Sequence, residues 1–571
     1  FVTAVLRIKM PNFRNIFRLA VLFVVVSFAT MEMVMAQSAE RVKQDFELGR
    51  ATEILANLMR EYHTNYVDEV DADRLLKSAV DGLVGATDPY SEYLSERAMA
   101  DFEMLTTGKY GGVGSLIRKR GDYVVFAQPY KGTPSDEAGV KIGDKILAIE
   151  GEDMRGVATD VISSRLKGDP GTEVSVTIER NIDNRVDTLK LKRRRISVPS
   201  VPYAGYITPG IGYIVHNDFI EGSYDEVRRA LERLMQEDSL QGLVLDYRSN
   251  GGGLMQEAVD IASLFVPYGE RVVSIMGRDS SSLHHYDTRY RPLAEELPIV
   301  ILVSGSSASA SEILAGAMQD ADRGVIMGQR TYGKGLVQGT RPLGYGSYLK
   351  YTTAKYYIPS GRCIQAVNYS KRRSDGSVES VPDSLISEFK TRGGRKVYDG
   401  GGIVPDVRIE PQYVSRFALT LYAMGYMEDW ADGYMRRNHD REIDVRRFSI
   451  TDEDYSDFCR FIEAKDVPYE SETRRQLKAL ERAADNDRYD DRLEAVLKEL
   501  DELVQDDKMS NMETYRPEII EALNAEIVLR YAYSEGVQEY AAVRDSSVLR
   551  AVELLKDTTE YHRILREQHL Q

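Results

Sequence analysis

The sequence predicts a multi-domain α/β protein whose central region is a layered α/β core. Between positions 212 and 409, apolar strand patterns alternate with helical patterns, which is the order that crossover connections in a parallel sheet produce. A glycine-rich β segment precedes this region, and charged, glycine-poor helical segments follow it. The 571 residues exceed what one core usually serves, so we expect three or four domains.

The N-terminus has the composition of an export signal. Basic residues precede an apolar run, Leu19–Ala29, and Val34–Ala36 then offers small residues before Gln37. This is the order of a secretory signal peptide, and the run is short for a membrane span. We therefore predict a signal peptide over 1–36 and an exported protein of the periplasm or cell envelope. An uncleaved membrane anchor is the alternative.

Two regions precede the α/β core. Apolar residues at helical spacing predict a helical N-terminal region over 40–104. From about Tyr110 the pattern changes to short alternating strands between glycine turns, such as Tyr123–Ala127 and Val174–Ile178. A compact β domain over 105–194 fits this pattern.

The α/β core is predicted over 195–410 and a helical C-terminal domain over 411–571. The core contains continuous apolar strands of the buried type, which are Ile211–Val215, Leu243–Asp246, Ile299–Val303 and Val325–Met327. Beyond it, Arg475–Leu503 reads as one long charged helical pattern.

Composition excludes several classes of function. The net charge of −16 and the pI near 5.2 provide no basic footprint for nucleic acid. The two cysteines, Cys363 and Cys459, cannot form a disulfide framework, so we interpret them as free thiols. The pair His284–His285 lacks further ligands that we could identify, so no metal or other cofactor is expected.

A serine cluster stands at the start of a predicted helix. Within Val303–Glu312, Ser309 lies three residues before Glu312, which is the spacing of a capping box. An oxyanion that develops beside Ser309 would meet unpaired backbone N–H groups, including that of Ala310. A serine that only caps the helix is the alternative. The rival nucleophiles by residue type are Ser304, Ser306, Ser307 and Ser311.

Lys334 is the candidate base for such a serine. It stands between Gly333 and Gly335, and burial in an apolar pocket would favour the neutral amine that can take a serine proton. Taken alone, a Gly-Lys-Gly segment is usually a solvated lysine. In a straight strand Gln338 would lie about 13 Å from Lys334, at roughly 3.3 Å per residue, so the segment must bend if Gln338 orients Lys334.

A glycine cluster follows a buried strand at Asp246–Gly253. Sites in α/β sheets gather at the carboxyl ends of strands, and glycines there let the backbone approach a substrate. Gly252 is the candidate second oxyanion donor, with an ordinary tight turn as the alternative. A phosphate loop is disfavoured because the Lys-Ser/Thr ending is absent. Neither His216 nor His284–His285 stands in a recognised catalytic context.

Together these residues resemble the carboxy-terminal processing peptidases, also called tail-specific proteases. The motifs that carry the resemblance occur in the family's order: Asp88–Leu94, Tyr110–Gly114, Gly143–Ile146, Lys167–Thr172, Asp246–Gly253, Ser307–Glu312, Gly328–Gly335 and Tyr398–Asp406. The resemblance implies a PDZ domain over 105–194 and a serine protease core of the crotonase/ClpP-like type over 195–410. The region after Tyr413 lies outside the resemblance.

The resemblance also assigns roles to residues. It places the nucleophile on Ser309, the general base on Lys334 and the orienting glutamine on Gln338. The oxyanion donors fall on Ala310 and, with neighbours open, on Gly252. The family often has proline where this chain has Gly251, which puts the stiffness of that loop in question.

The PDZ resemblance implies recognition of chain ends. An extended peptide would add to a sheet edge, and the loop of Gly112, Val113, Gly114 and Ser115 would capture its carboxylate. Lys167 takes a position where many family members have arginine.

The expected function is that of an exported serine endopeptidase which cleaves protein C-terminal tails. A homo-oligomer or an adaptor protein is left open as a further partner. A non-catalytic PDZ scaffold of the cell envelope is the rival interpretation, and a crotonase-like acyl enzyme is a third.

Overall fold

The computed structural model describes residues 42–372, 378–380, 383–488, 491–504 and 507–566. The predicted signal peptide lies outside these ranges. Along the described chain, no helix combines the length and the apolar character needed to cross a bilayer. The chain divides into two compact units, Phe1–Tyr93 and Leu94–Gln571.

The described part of the first unit is helical, as predicted for the N-terminal region. Its helices are α1 (42–65) and α2 (Ala72–Gly85). The Asp71 carboxylate accepts from the backbone N–H of Asp73 at 2.8 Å, which caps α2. A short strand, β1 (Glu92–Leu94), crosses into the second unit.

The second unit starts with a helix and a β domain. Helix α3 (Glu96–Thr107) continues past the boundary predicted at 104 and ends at Gly108 in the left-handed conformation. The elements that follow are β2 (Lys109–Gly112), β3 (Ser115–Arg120), β4 (Tyr123–Pro129), α4 (Pro134–Glu137), β5 (Lys145–Ile149), β6 (Glu152–Asp153), α5 (Thr159–Leu166), β7 (Glu173–Glu179), β8 (Val186–Lys192) and β9 (Arg194–Ser197). The sheet order is β3-β4-β5-β7-β8, which leaves β3 at an edge.

The core contains a six-stranded sheet in the order β10-β11-β12-β15-β16-β23. Strand β10 is antiparallel to β11, and the other pairs are parallel. The core elements are β10 (Tyr203–Thr208), β11 (Ile211–Val215), α6 (Ser223–Glu237), β12 (Gly242–Asp246), α7 (Met255–Ala262), β13 (Arg271–Met276), β14 (His284–Asp287), β15 (Ile299–Val303), α8 (Ala310–Asp320), β16 (Val325–Gly328), β17 (Leu336–Gly344), β18 (Ser347–Tyr357), β19 (Val367–Arg372), β20 (Val378–Ser380), β21 (Glu388–Lys390), β22 (Lys396–Tyr398) and β23 (Val407–Arg408). The predicted α/β core is confirmed.

Antiparallel strands flank this sheet. Strands β14, β13, β18 and β17 pair in that order, and the long hairpin β17–β18 follows Lys334 directly. This hairpin therefore begins at the candidate base.

The C-terminal region is helical, as predicted, although its longest pattern is interrupted. The helices are α9 (Arg416–Ala423), α10 (Tyr426–Asn438), α11 (Asp452–Glu463), α12 (Glu472–Asp487), α13 (Asp491–Leu503), α14 (Lys508–Thr514), α15 (Arg516–Ala542), α16 (Ser546–Lys556) and α17 (Thr558–Arg566). The single helix predicted over Arg475–Leu503 is wrong, because Arg488 takes the left-handed conformation at a φ of 57° and ends α12.

Helices cover both faces of the central sheet. One face packs against α6, α7 and α8 through side chains such as Leu231, Ile261 and Leu314. The other face packs against α16 and α17 through side chains such as Leu555 and Ile564. Burying this apolar surface makes the C-terminal helices part of the packing of the α/β core itself.

Ion pairs fix the β domain to the C-terminal helices. On β3, Arg118 contacts Glu428 and Arg120 contacts Asp429, while the Arg120 guanidinium lies 2.6 Å from Asp432. The Asp432 carboxylate is buried and also lies 2.8 Å from Arg530. Because a buried carboxylate needs cationic partners, this cluster holds the edge strand in a defined place.

We expect Arg120→Ala to destabilise the protein by about 2 kcal/mol, because it removes one of the charged partners of a buried carboxylate. The urea unfolding midpoint measures the change. Arg155→Ala, which removes an exposed ion pair with Asp122 in the same domain, is the matched control and should leave the midpoint unchanged. Equal midpoints for both variants would contradict the importance of the buried cluster.

Candidate active site

Three chain segments meet at the carboxyl edge of the parallel sheet. The segment after β12, which ends at Gly253 and is called the glycine turn below, is the first. The serine cluster follows β15, and the segment with Lys334 follows β16. Ser309 immediately precedes α8 and has φ 55° and ψ −114°, which is unusual for a residue with a side chain. Strain of this kind is found at functional positions, although Glu312 also accepts from the Ser309 N–H as in a capping box.

The rival serines use their hydroxyl groups to hold the glycine turn. The Ser304 hydroxyl donates to the Arg248 carbonyl at 2.5 Å. The buried Ser307 and Ser311 hydroxyls donate to the carbonyls of Tyr247 at 2.8 Å and Asn250 at 2.9 Å. Since these three protons are already engaged and Ser306 is exposed, the half-buried Ser309 stays the candidate nucleophile.

Glu312 joins the serine segment to the lysine segment. Its Oε2 accepts from the backbone N–H of Ser309 at 2.9 Å and from that of Lys334 at 2.9 Å. Its Oε1 accepts from the Gly333 N–H at 2.7 Å and from the Thr331 hydroxyl at 2.5 Å. One buried carboxylate therefore fixes the backbone positions of both candidate catalytic residues.

Two opposing effects act on the pKa of Glu312. Burial raises the pKa of Glu312 to about 7, and its four hydrogen-bond donors act in the opposite direction. The carboxylate form is the one that can accept all four bonds. Glu312 is consequently poised to change its protonation state close to neutral pH.

Tyr356 makes a second link between the same two residues. Its hydroxyl lies against the carbonyl oxygens of both Lys334 and Ser309, at 3.3 Å from the latter. Beside it, the Gly335 N–H donates to Gln365 Oε1 at 2.7 Å. The backbone of Lys334 is thus held on both sides. A general base needs such a fixed position if its amine is to meet a hydroxyl that is itself fixed.

Gly252 lies directly against the candidate nucleophile. A Cβ atom built on it would stand 2.7 Å from the Ser309 Cβ, and its φ is 102°. Its N–H donates to Asn250 Oδ1 at 2.8 Å, so this donor is engaged within the turn in this structure. That the Gly252 N–H donates to an oxyanion stays a prediction. It requires the hydrogen bond from Gly252 to Asn250 to open, or the N–H to be shared between the two acceptors. Ala310 is the first residue of α8, where the N–H has no intrahelical partner.

Gln338 lies in β17, where the pairing with β18 is irregular. Between Val337 and Gln338 the register skips one residue of β18, Thr353, so the extra residue lies on β18 and not on the segment from Lys334 to Gln338. The bend expected between Lys334 and Gln338 stays a prediction. The Gln338 side-chain amide donates to the Thr352 hydroxyl at 3.3 Å. Its role in orienting Lys334 stays a prediction.

The predicted peptide-binding loop lies at one end of a groove between β3 and α5. The carbonyl of Val113 accepts from Ser135 N at 3.0 Å and that of Gly114 accepts from Tyr130 N at 2.9 Å. The Ser115 Oγ is buried and has no hydrogen-bond partner within the described ranges. Gly112 ends β2 just before this loop.

The groove itself is mostly apolar and has a volume of about 420 Å³. It is lined by Met104, Tyr110, Val113, Gly114, Ser115, Leu116, Ile117, Tyr130, Thr159, Asp160, Ser163, Leu166 and Lys167. The Lys167 amine lies 3.6 Å from Met104 Sδ and 5.7 Å from the centre of the Tyr110 ring. An apolar groove beside an edge strand, with a lysine near the loop, suits an extended chain end with a carboxylate.

The histidines occupy other environments. His216 is buried beside Phe219 and Tyr247, and burial lowers its pKa to about 3. His284 and His285 lie exposed in β14. Among the described residues, no group of three or more His, Cys, Asp or Glu side chains is arranged to hold a metal ion.

Two residues of the site escaped the sequence analysis in part or in full. Glu312 was recognised only as a cap partner, and Tyr356 was not recognised at all. Glu312 carried a signal, because a glutamate on an otherwise apolar helix has to find several donors when it is buried. Tyr356 carried none, since its contact depends on how β18 folds back on β17.

Comparison with protein families gives three matches along the chain. Residues 210–370 match peptidase family S41, residues 125–180 match the PDZ domain, and residues 417–555 match the C-terminal helical domain of probable PDZ-proteases. The predicted PDZ domain and protease core are therefore confirmed, and the C-terminal helices are found to form a domain of their own family.

Curated relatives agree with these matches. The chain is 32% identical over 354 residues to the carboxy-terminal-processing protease of Bartonella bacilliformis, covering 61% of this chain and 81% of the relative. It is 35% identical over 382 residues to a probable CtpA-like serine protease of Staphylococcus aureus, covering 66% and 72%. Among solved structures, the photosystem II D1 C-terminal processing protease is 28% identical, with 63% and 87% coverage and a TM-score of 0.33.

The relative from Bartonella is matched over most of its length, and the S41 match contains Ser309, Lys334, Glu312 and Gly252. The chain accordingly belongs to the carboxy-terminal-processing proteases of peptidase family S41, and it is a serine-type peptidase.

Proposed function

We propose that this protein is an exported endopeptidase that selects proteins by their C-terminal tails and cleaves them through a Ser309–Lys334 dyad. The observation that carries the proposal is the double link between these residues. Glu312 accepts from the backbone N–H of both, and the Tyr356 hydroxyl contacts the carbonyl of both. A fixed serine and a fixed lysine at a strand edge form the arrangement that acyl transfer needs.

In this mechanism the neutral Lys334 amine takes the Ser309 hydroxyl proton as Oγ attacks the scissile carbonyl carbon. The Ala310 N–H stabilises the oxyanion, and Gly252 adds a second donor once its bond to Asn250 opens. The protonated Lys334 then gives its proton to the leaving amine. A water molecule hydrolyses the acyl-enzyme at Ser309 by the same steps in reverse order.

Substrate selection is proposed for the PDZ groove. A tail that adds to the edge of β3 would place its carboxylate at the Gly112–Ser115 loop, near Lys167, and its apolar side chains against Leu166 and Tyr110. The relatives' names, which refer to processing at the carboxy terminus, are consistent with this part of the proposal. Export rests on the sequence of residues 1–36 alone.

Ser309→Ala and Lys334→Ala should each lower kcat/KM at least about 1,000-fold, because each removes one partner of the proton transfer. The substrate is a reporter protein with an apolar C-terminal tail, and intact mass spectrometry measures its cleavage. Ser306→Ala, at an exposed serine of the same cluster, is the control and should cleave at the wild-type rate. Wild-type activity in either dyad variant would rule out the assignment, and a wild-type protein that binds the tail without cleaving it would favour the scaffold interpretation.

Glu312→Gln should lower kcat/KM about 100-fold with little change in tail binding, because the two catalytic backbones lose their shared acceptor. Burial raises the pKa of Glu312 to about 7, so the wild-type carboxylate gains a proton as the pH falls through that value. Protonation removes acceptor capacity, and wild-type kcat/KM should therefore fall on acidification near pH 7.

The amide of the E312Q variant cannot titrate. The pH profile of kcat/KM for this variant should therefore lack the fall near pH 7 and keep only the fall due to protonation of Lys334. Glu453→Gln, at an exposed position of α11, is the control and should keep the wild-type profile. If E312Q kept both the wild-type kcat/KM and the wild-type fall in kcat/KM on acidification, the Glu312 carboxylate would not act as the link between Ser309 and Lys334.

Gly252→Ala should abolish detectable cleavage, because its Cβ would stand 2.7 Å from both the Ala308 carbonyl oxygen and the Ser309 Cβ. Gly251→Ala is the matched control: a Cβ there meets nothing within 4 Å, and the N–H is retained. We expect G251A to keep kcat/KM within about threefold of the wild type. If the two alanine variants were equally active, the close approach of Gly252 to Ser309 would not matter for catalysis.

A further inference from the structure

Arg248 lies between two carboxylates that belong to different domains. Its Nη2 lies 2.6 Å from Asp246 Oδ2 at the end of β12, and its Nη1 lies 2.7 Å from Asp545 Oδ2. Asp545 is the residue before α16 in the C-terminal helical domain. This ion pair therefore connects that domain to the first residues of the glycine turn.

We propose that Asp545 is a positioning residue for the protease reaction, which holds the glycine turn in place through Arg248. This inference rests on the proposed function of Ser309 as the nucleophile. It gives the C-terminal helical domain a direct part in forming the active site, in addition to its packing against the sheet.

Two features of the glycine turn connect the position of Arg248 to that of Ser309. The Arg248 carbonyl accepts from the Ser304 hydroxyl at 2.5 Å, which joins it to the serine cluster. Four residues further along, Gly252 lies so close to Ser309 that a Cβ built on it would stand 2.7 Å from the Ser309 Cβ. A displacement of the glycine turn therefore also displaces Ser309 and the backbone N–H groups around it.

The orientation of Arg248 depends on charge more than on packing. Its side chain borders a polar cavity of about 390 Å³, which is also lined by Asn217, Ser249, Gln538 and Ala541. Without Asp545 the guanidinium keeps Asp246 but gains room to move into this cavity. Tyr213 also donates to Asp246 Oδ2 at 2.7 Å, so this oxygen is shared by two donors.

Asp545 itself is held rigidly. Its Oδ1 caps α16 by accepting from Ser547 N at 2.8 Å and Val548 N at 3.1 Å, which leaves Oδ2 for Arg248. Helix α16 packs against the sheet through Val548, Ala551 and Leu555. The carboxylate is thus a fixed point from which the glycine turn can be positioned.

The test uses Asp545→Asn in the full chain. Asparagine caps a helix as well as aspartate does, so D545N removes the negative charge that faces Arg248 and keeps α16. We expect D545N to lower kcat about tenfold at unchanged KM and unchanged tail affinity. Glu553→Gln, elsewhere on α16, should behave as the wild type.

Hydrogen exchange adds a readout that does not need catalysis. In a Ser309→Ala background, D545N should speed exchange of the amides at 250–253, and the control E553Q should not. A wild-type kcat in D545N would overturn the inference, as would unchanged exchange in the turn. A wild-type protein that cleaves no substrate would instead count against the proposed function, while the exchange result would still decide whether Asp545 holds the turn.

Discussion

The buried carboxylate of Glu312 is the interaction on which the site depends. It accepts four hydrogen bonds from the two segments that carry Ser309 and Lys334, and these segments leave different strands of the sheet. Burial opposes ionisation, so the fold maintains this carboxylate against a cost in desolvation. In the proposed mechanism, proton uptake by Glu312 weakens the bridge between Ser309 and Lys334, and we therefore expect activity to depend on pH near neutrality.

The three domains of the second unit act on this site in different ways. The protease core supplies the strand ends, while the PDZ domain supplies a groove beside β3 that suits a chain end. The C-terminal helices fill one face of the catalytic sheet and hold β3 through the ion pairs of Arg118 and Arg120. The proposed contact of Asp545 with Arg248 extends this support to the glycine turn, so we regard the helical domain as an integral part of the enzyme.

Much of the fold was predictable because it rests on patterns that sequence records directly. Continuous apolar strands and glycine turns predicted the sheet and its carboxyl edge. The break at Arg488 was not predictable, since a charged non-glycine residue carries no helix-stop signal. The sequence left several serines open, and the structure separates them because the hydroxyls of Ser304, Ser307 and Ser311 hold the turn.

The central claim is that Ser309 forms the covalent intermediate while Lys334 serves as its base. The most direct measurement is acid-quench trapping with a slowly hydrolysed peptide ester, followed by peptide mapping in a mass spectrometer. We predict one acyl group on the peptide that contains Ser309, with the bond mapped to Ser309 itself, and no acylation in the Lys334→Ala variant. Acylation of Ser306 or another serine, or full acylation without Lys334, would contradict the account.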